Sequence, residues 1–231
     1  MKLAKNVALL PIKNGEGGDR FSLTLTWDDN NLVLVDAGFP GQTDEIVQAI
    51  ADEGFNAENL THIIITHHDW DHVGCVPDLQ KISPNLRIIA HVDEAPYLDG
   101  RELPIKVAAR LKEYDSLPED TRSFFDSWKE SYENNPIYVT DQVKDGEMLP
   151  ICGGIELIHV PGHTPGHIVA YLHESRIMIC GDAANVDSGR LVGANPIHTQ
   201  DLELADKSLE KIKAYDVTGY IAYHTGYLPI K

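Results

Sequence analysis

Three histidines and two aspartates stand within six residues of this chain, in the segment HHDWDH at positions 67–72. Neutral imidazoles and carboxylates are ligands for zinc, iron and manganese. A short turn can direct alternate residues of such a segment toward two metal ions a few ångströms apart. The segment follows HIIIT, a β-branched run typical of a buried strand. We therefore predict a metal site on the turn after this strand.

A histidine or an aspartate also follows each of three later apolar runs. His163 comes shortly after IELIHV, Asp182 shortly after RIMIC, and His224 directly after GYIAY. If neighbouring strands run in the same direction, their ends lie on one edge of the sheet, where side chains distant in sequence converge. We expect these three residues to join the HHDWDH segment at a single site.

Two further residues near these motifs have a predicted supporting role. The segment PGHTPGH at 161–167 contains prolines and glycines that favour a tight loop around His163 and His167. For His167 we favour a structural or supporting role over metal ligation. Asp36 ends the run NLVLVD and is predicted to hydrogen-bond a metal ligand. A simple turn-forming role would explain the position of Asp36 equally well.

The order of these motifs resembles the metallo-β-lactamase fold superfamily, whose pattern is HxHxDH followed by a later histidine, an aspartate and a final histidine. The resemblance extends over the whole chain, from Asp36 in VDAG to His224 in YHTG. It implies an α/β (α+β) fold, a four-layer αββα sandwich. The sequence shows no repeat, low-complexity tract or linker, so we expect a single domain over residues 1–231. The resemblance also implies two metal sites, the first held by His67, Asp69 and His163 and the second by Asp71, His72 and His224, with Asp182 bridging both.

The chain departs from the family pattern at position 69, which is aspartate instead of histidine. Because Asp71 and His72 match the end of the pattern, Asp69 and not His68 falls in the position of the second histidine. Two divalent ions together with three carboxylate ligands have a net charge of about +1. With histidine at position 69, as in the family pattern, the net charge would be about +2. We expect a bound water with a higher pKa, and better competition of manganese or iron against zinc.

The resemblance implies a dinuclear metal-dependent hydrolase acting on an ester, thioester, lactone or amide bond of a small molecule. In the implied mechanism a metal-bound hydroxide attacks the carbonyl carbon, the first site polarises the carbonyl oxygen, and the second stabilises the leaving group. Asp71 would be catalytic, because it orients the hydroxide and takes its proton. Zinc is the expected metal, with manganese or iron as alternatives because of Asp69.

Two other interpretations remain open. Family members that reduce oxygen or nitric oxide at a di-iron centre also have a carboxylate at the position of Asp69. They depend on a flavin domain, which a separate partner protein would have to supply here. The third interpretation is a metal-binding module without catalytic activity.

Residues 100–135 differ in character from the chain around them, because charged residues alternate there with aromatic ones. Phe124, Phe125, Trp128 and Tyr132 have a spacing that places them near one face of a helix. We predict a helical insertion at about 100–135. An insertion above a site at the strand ends is where substrate selectivity would be determined.

Composition excludes several classes of partner for this chain. Its 231 residues include 19 Lys and Arg against 36 Asp and Glu, a net charge of −17 that repels nucleic acid and anionic membranes. No apolar segment approaches the roughly 20 residues that cross a bilayer. Cys75, Cys152 and Cys180 show no CxxC spacing, and the N-terminus lacks a signal-peptide pattern, so we expect reduced thiols in the cytoplasm. We expect a small-molecule substrate, and the sequence does not indicate an oligomeric state.

Overall fold

The computed structural model describes residues 1–13 and 20–230, which form two large β-sheets and a small two-stranded one. The strands of the first sheet, in chain order, are β1 (Lys2–Ala4), β2 (Val7–Lys13), β3 (Arg20–Trp27), β4 (Leu32–Val35), β5 (His62–Ile64), β6 (Arg87–His91) and β7 (Asp141–Val143). Those of the second are β8 (Glu147–Leu149), β9 (Ile155–His159), β10 (Ile168–Leu172), β11 (Ile177–Ile179), β14 (Gly219–Ala222) and β15 (Gly226–Pro229). The small sheet pairs β12 (Ala184–Asp187) with β13 (Arg190–Gly193).

Helices lie between and after these strands. They are α1 (Thr43–Asp52), α2 (Trp70–Val73), α3 (Val76–Ile82), α4 (Ala95–Leu98), α5 (Ile105–Leu111), α6 (Glu119–Asn134) and α7 (Leu202–Lys213). Short 3-10 turns cover Ala57–Asn59 and Tyr114–Ser116.

Strand directions bring the predicted ligands to one edge of the molecule. In the second sheet β10 is antiparallel to both β9 and β11, so these two strands run in the same direction. Strand β14 is parallel to β11. The C-terminal ends of β9, β11 and β14 therefore lie on the same edge, as the sequence predicted. In the first sheet β4 to β7 are parallel to one another, which directs the residues after β5 to their own common edge.

The two large sheets pack face to face through a shared apolar core. Val33 and Ile64 of the first sheet belong to one buried cluster with Leu157 and Ile179 of the second. Helices cover the outer faces: Ile46 and Ile50 of α1 pack with the outer side of the first sheet, and Leu209 and Ile212 of α7 with that of the second. Fully burying one such side chain stabilises the fold by about 1.5–3 kcal/mol. The layers are helix, sheet, sheet and helix, which confirms the predicted αββα architecture.

A helical insertion is present between β6 and β7, and it consists mainly of α5 and α6. The four aromatic residues predicted to share one face of it differ in burial. Phe125 and Tyr132 are buried, whereas Phe124 is 59% exposed. Adjacent residues on a helix project about 100° apart, so Phe124 cannot follow Phe125 into the core. Its ring instead lies against the edge of Trp70, with the centroids 5.7 Å apart.

All three cysteines are buried free thiols. Burial raises the pKa of Cys152 to about 12 and that of Cys180 further still, so both thiols are neutral near pH 7. Among the described residues, none of the helices has the length and hydropathy needed to cross a bilayer.

Candidate metal centre

The structure brings all seven predicted ligands together at the strand ends. They form two groups, and within each group one nitrogen or oxygen atom per residue lies within 4.8 Å of the others. The first group is His67, Asp69, His163 and Asp182, and the second is Asp71, His72 and His224. The resemblance implied the same division for the other six residues, with Asp182 shared by both sites.

Asp182 lies between the two groups. Its Oδ2 is 3.7 Å from His163 Nε2 in the first group and 3.1 Å from His224 Nε2 in the second. Its Oδ1 is 3.4 Å from His72 Nε2. One carboxylate thus faces donors of both groups, as a bridging ligand would.

Backbone conformation at two glycines places the ligands that follow them. Gly181, directly before Asp182, has φ +52°, and a Cβ there would lie 2.8 Å from Thr66 Oγ1 and 2.9 Å from His167 Cε1. Gly162, directly before His163, has φ +135°, and a Cβ would lie 2.4 Å from the backbone nitrogen of Ala205. A side chain at either position would displace a ligand-bearing loop.

Asp36 forms a hydrogen bond with His72, a predicted metal ligand. Its Oδ2 accepts a hydrogen bond from His72 Nδ1 at 2.8 Å, and its Oδ1 accepts one from the Thr66 N–H at 2.9 Å. This contact fixes the proton of His72 on Nδ1 and leaves Nε2 directed toward the site. Asp36 has φ +63°, a conformation that costs free energy in a non-glycine residue and is found at functional sites.

His167 lies beside the first group and outside both. Its Nε2 accepts a hydrogen bond from the Asp182 N–H at 3.1 Å, and its ring stacks on His67 with the centroids 4.7 Å apart. His167 thus contacts two predicted ligands without joining their donor atoms.

Several donor atoms of the cluster make no hydrogen bond to other protein groups that the structure describes and are therefore available to a metal ion. His67 Nε2, His72 Nε2 and Asp182 Oδ1 are buried and have no hydrogen-bond partner among the described residues. Buried polar atoms in proteins nearly always have a partner, and an unmet one costs about 1–3 kcal/mol. Three such atoms in one cluster of imidazoles and carboxylates are what a site for divalent cations requires.

The electrostatics of the cluster also favour cations. Burial lowers the pKa of His67 well below its ordinary value, and nearby His72 lowers it further, so this imidazole is neutral and able to ligate. Burial acts in the same direction on His72, but the carboxylates of Asp36 and Asp71 outweigh it and raise the pKa of His72 well above the ordinary value. The negative electrostatic potential that favours protonation of His72 also attracts metal ions.

Lys106 is a charged residue of the site that sequence reasoning missed. It lies on α5 of the insertion, where its Nζ contacts Asp69 Oδ2 and is 3.3 Å from His163 Nε2. Burial alone would raise the pKa of Asp69, but His67 and Lys106 are among the groups that lower it well below its ordinary value. A lone lysine within a charged helix carries no local signal that would have identified it.

Glu94, also missed, joins the two loops that bear ligands. Its Oε2 accepts a hydrogen bond from the His68 N–H at 2.9 Å and contacts His68 Nδ1. Its Oε1 accepts hydrogen bonds from Thr164 Oγ1 and the Gly166 N–H, both at 2.7 Å. His68 is therefore directed to Glu94, and Asp69 occupies the place among the donors.

Comparison with known proteins identifies the family. A family model described as the metallo-β-lactamase superfamily matches residues 21–224. The chain belongs to this superfamily. Its members typically bind divalent metals, and the two donor groups described above could hold such ions.

Relatives within the metallo-β-lactamase superfamily include metallo-hydrolases. The chain is 24% identical to a probable metallo-hydrolase, YflN of Bacillus subtilis, over 88% of this chain and 79% of the relative. It is 26% identical to the hydroxyacylglutathione hydrolase GloC of Haemophilus influenzae, over 77% of this chain and 71% of the relative. An atrochrysone carboxyl ACP thioesterase of Pseudocercospora fijiensis is 25% identical over 88% of this chain. The matched region covers 47% of the length of that enzyme.

Solved structures of the superfamily show the same fold. A metallo-β-lactamase family protein from Thermus thermophilus superposes with a TM-score of 0.78 at 22% identity, covering 99% of this chain and 76% of that one. A subclass B3 metallo-β-lactamase of Bradyrhizobium japonicum superposes with a TM-score of 0.67 at 20% identity, covering 97% of this chain and 76% of that one.

Proposed function

We propose that this protein is a dinuclear metal-dependent hydrolase that cleaves an ester or thioester bond, or a lactone or amide, of a small molecule. The observation that carries the proposal is the convergence of seven donor residues from four strand ends in two groups, with Asp182 between them. Relatives named as hydrolases support the reaction type.

In this proposal His67, Asp69 and His163 hold one divalent ion, and Asp71, His72 and His224 hold the other, with Asp182 contacting both. Bound ions of this kind act as Lewis acids toward a carbonyl oxygen and make water a stronger nucleophile at neutral pH. Zinc is the proposed metal, and Asp69 makes manganese or iron better competitors because carboxylates suit these ions.

Residues of the chain position the reactants around this centre. Asp71 Oδ2 lies 3.4 Å from His224 Nε2 and 3.7 Å from His72 Nε2, within the second group. We propose that the Asp71 carboxylate orients the attacking water and accepts its proton. The contacts of Asp36 with His72 and of His167 with Asp182 hold the surrounding side chains in place.

A survey of thioester, ester and lactone hydrolysis tests the proposal. Thioesters come first, because one relative is named a hydroxyacylglutathione hydrolase and another an ACP thioesterase. We expect turnover without any reductant, lost on treatment with a chelator and restored by zinc or manganese. A protein that is fully loaded with metal and hydrolyses none of these substrates would contradict the proposal.

Replacing Asp69 with histidine tests the effect of the third carboxylate. D69H removes one negative charge from the donor set, so we expect the acid limb of the pH–rate profile to move to lower pH by about one unit or more. We also expect manganese to compete less well against zinc. The rate should be followed from pH 5 to 9 with both metals. An unchanged profile would count against the charge argument.

Replacing Asp36 with asparagine tests its support of His72. D36N removes the charged acceptor of the His72 Nδ1 proton, and we expect a roughly 10- to 100-fold loss of zinc affinity. Affinity is measured by competition with a chromophoric chelator. The matched control is D29N, because Asp29 is an exposed turn residue. Equal zinc affinity of D36N and D29N would refute the supporting role.

A further inference from the structure

A cavity of about 650 Å³ lies beside the donor cluster, against the helical insertion. Helices α5 and α6 form one side of it, and residues 197–200 form another. Its wall is mainly apolar, with Ile105, Leu117, Phe124, Phe125, Trp128 and Ile197 among the lining residues. This volume is sufficient for a small-molecule ligand.

The cavity reaches the donor cluster at one group only. Asp69 and His163 line it, and both belong to the first group. Asp71, His72 and His224 of the second group lie outside its described lining. A ligand in the cavity therefore approaches the centre from the side of Asp69 and His163.

Large apolar side chains are exposed where the cavity opens to solvent. Ile197 is 86% exposed and Phe124 is 59% exposed. Clusters of exposed apolar residues next to a cavity mark surfaces that bind apolar groups. A ligand with an apolar chain would cover both residues as it entered.

The inner end of the cavity, where it meets the donor cluster, holds an ammonium group paired with a carboxylate. Lys106 lines it and contacts Asp69, so an ammonium group stands where the cavity meets the donors. An ammonium at this position suits the oxygen atoms of an acyl group, and the apolar wall beyond it suits the carbon chain.

We propose that the cavity binds the apolar acyl group of an ester or thioester, with the carbonyl at the inner end beside Lys106. This inference rests on the proposed function. Hydrolysis adds the hydroxyl of water to the carbonyl carbon and breaks its bond to sulfur or oxygen. The thiol or alcohol leaves with the other proton of the water. The carboxylic acid then releases its proton to solvent and remains as a carboxylate next to Lys106.

A series of thioesters with one thiol and increasing acyl length tests the proposal. From acetyl to octanoyl we expect kcat/KM to rise by up to about fourfold per added methylene, until the cavity is filled. In a second series the acetyl group is constant and the thiol is lengthened, and here we expect little change. A rise only in the second series would place the apolar group on the leaving side and overturn the proposal.

Filling the cavity should reduce the preference for long acyl chains. Ala109 lines the cavity on α5, and A109F is expected to lower the ratio of octanoyl to acetyl kcat/KM by at least about tenfold. Ser127 is an exposed residue of α6 outside the lining, and S127F should leave the ratio unchanged. Equal ratios in A109F and S127F would overturn the proposal.

Binding of octanoate and octanamide, measured by calorimetry, is independent of turnover. We expect octanoate to bind more tightly than octanamide, and K106M to remove most of this difference. Octanoate binding that is weakened by A109F would support the cavity even if no substrate is hydrolysed, in which case the proposed function alone has failed. Binding that neither variant alters would overturn the inference even if thioesters are hydrolysed.

Discussion

Replacing Asp182 with asparagine is expected to lower kcat by about 10³-fold or more, and to reduce the bound metal from two ions per chain to one. Asp182 is the residue whose carboxylate faces donors of both groups, at 3.1 Å from His224 and 3.7 Å from His163. Asparagine keeps the shape but removes the charge that would hold two cations together. A loss of several kcal/mol of charge stabilisation corresponds to a rate effect of this size.

Asp187 provides the matched control for this experiment. It is an exposed aspartate five residues further along the chain, at the end of β12, and D187N should keep both the rate and the metal content. Circular dichroism and melting temperature establish that D182N folds. A folded D182N protein with two bound ions and more than about a tenth of the wild-type rate would refute the bridging role.

Replacing Glu94 with glutamine is expected to destabilise the fold by about 3 kcal/mol, or roughly 6–12 °C in melting temperature. The buried carboxylate accepts hydrogen bonds from His68, Thr164 and Gly166, so each oxygen faces donors. An amide must direct its own N–H groups at some of these donors, which leaves buried groups without partners. Because these donors lie on the two ligand-bearing loops, metal affinity should fall as well.

Thermal melts of E94Q should be recorded both with a chelator and with saturating zinc. Metal binding to the folded state raises its stability, so the two conditions separate an effect on folding from an effect on metal affinity. Glu102 is an exposed residue, and E102Q serves as the control. If E94Q melts within about 1 °C of E102Q in both conditions, Glu94 does not join the loops in the way described.

The candidate ligands were found from the sequence because each stands directly or shortly after an apolar run. A β-branched run predicts a strand, and polar residues after parallel strands meet at one edge. The resemblance to the metallo-β-lactamase superfamily then implied which residues would share an ion. Choosing Asp69 over His68 depended on the register of the pattern. In the structure Asp69 lies among the donor atoms, and His68 is directed to Glu94.

Two charged residues around the ligands were not found in this way. Glu94 and Lys106 act over sequence separations of 26 and 37 residues, through contacts that only the folded chain creates. Lys106 stands neither in a motif nor after an apolar run. Glu94 follows the apolar run LRIIAH at 86–91 by three residues but belongs to none of the motifs. The partition of strands between two sheets was likewise outside the reach of local patterns, because β7 and β8 are adjacent in sequence but belong to different sheets.

Metal content per chain, measured by elemental mass spectrometry, tests the central claim most directly. The protein should be purified without chelator from cells supplied evenly with zinc, manganese and iron. We predict about two zinc or manganese ions per chain in the wild type. Two iron atoms would instead support the redox interpretation and a search for an electron donor. One ion or none would contradict the dinuclear centre, and the mechanism built on it would have to be withdrawn.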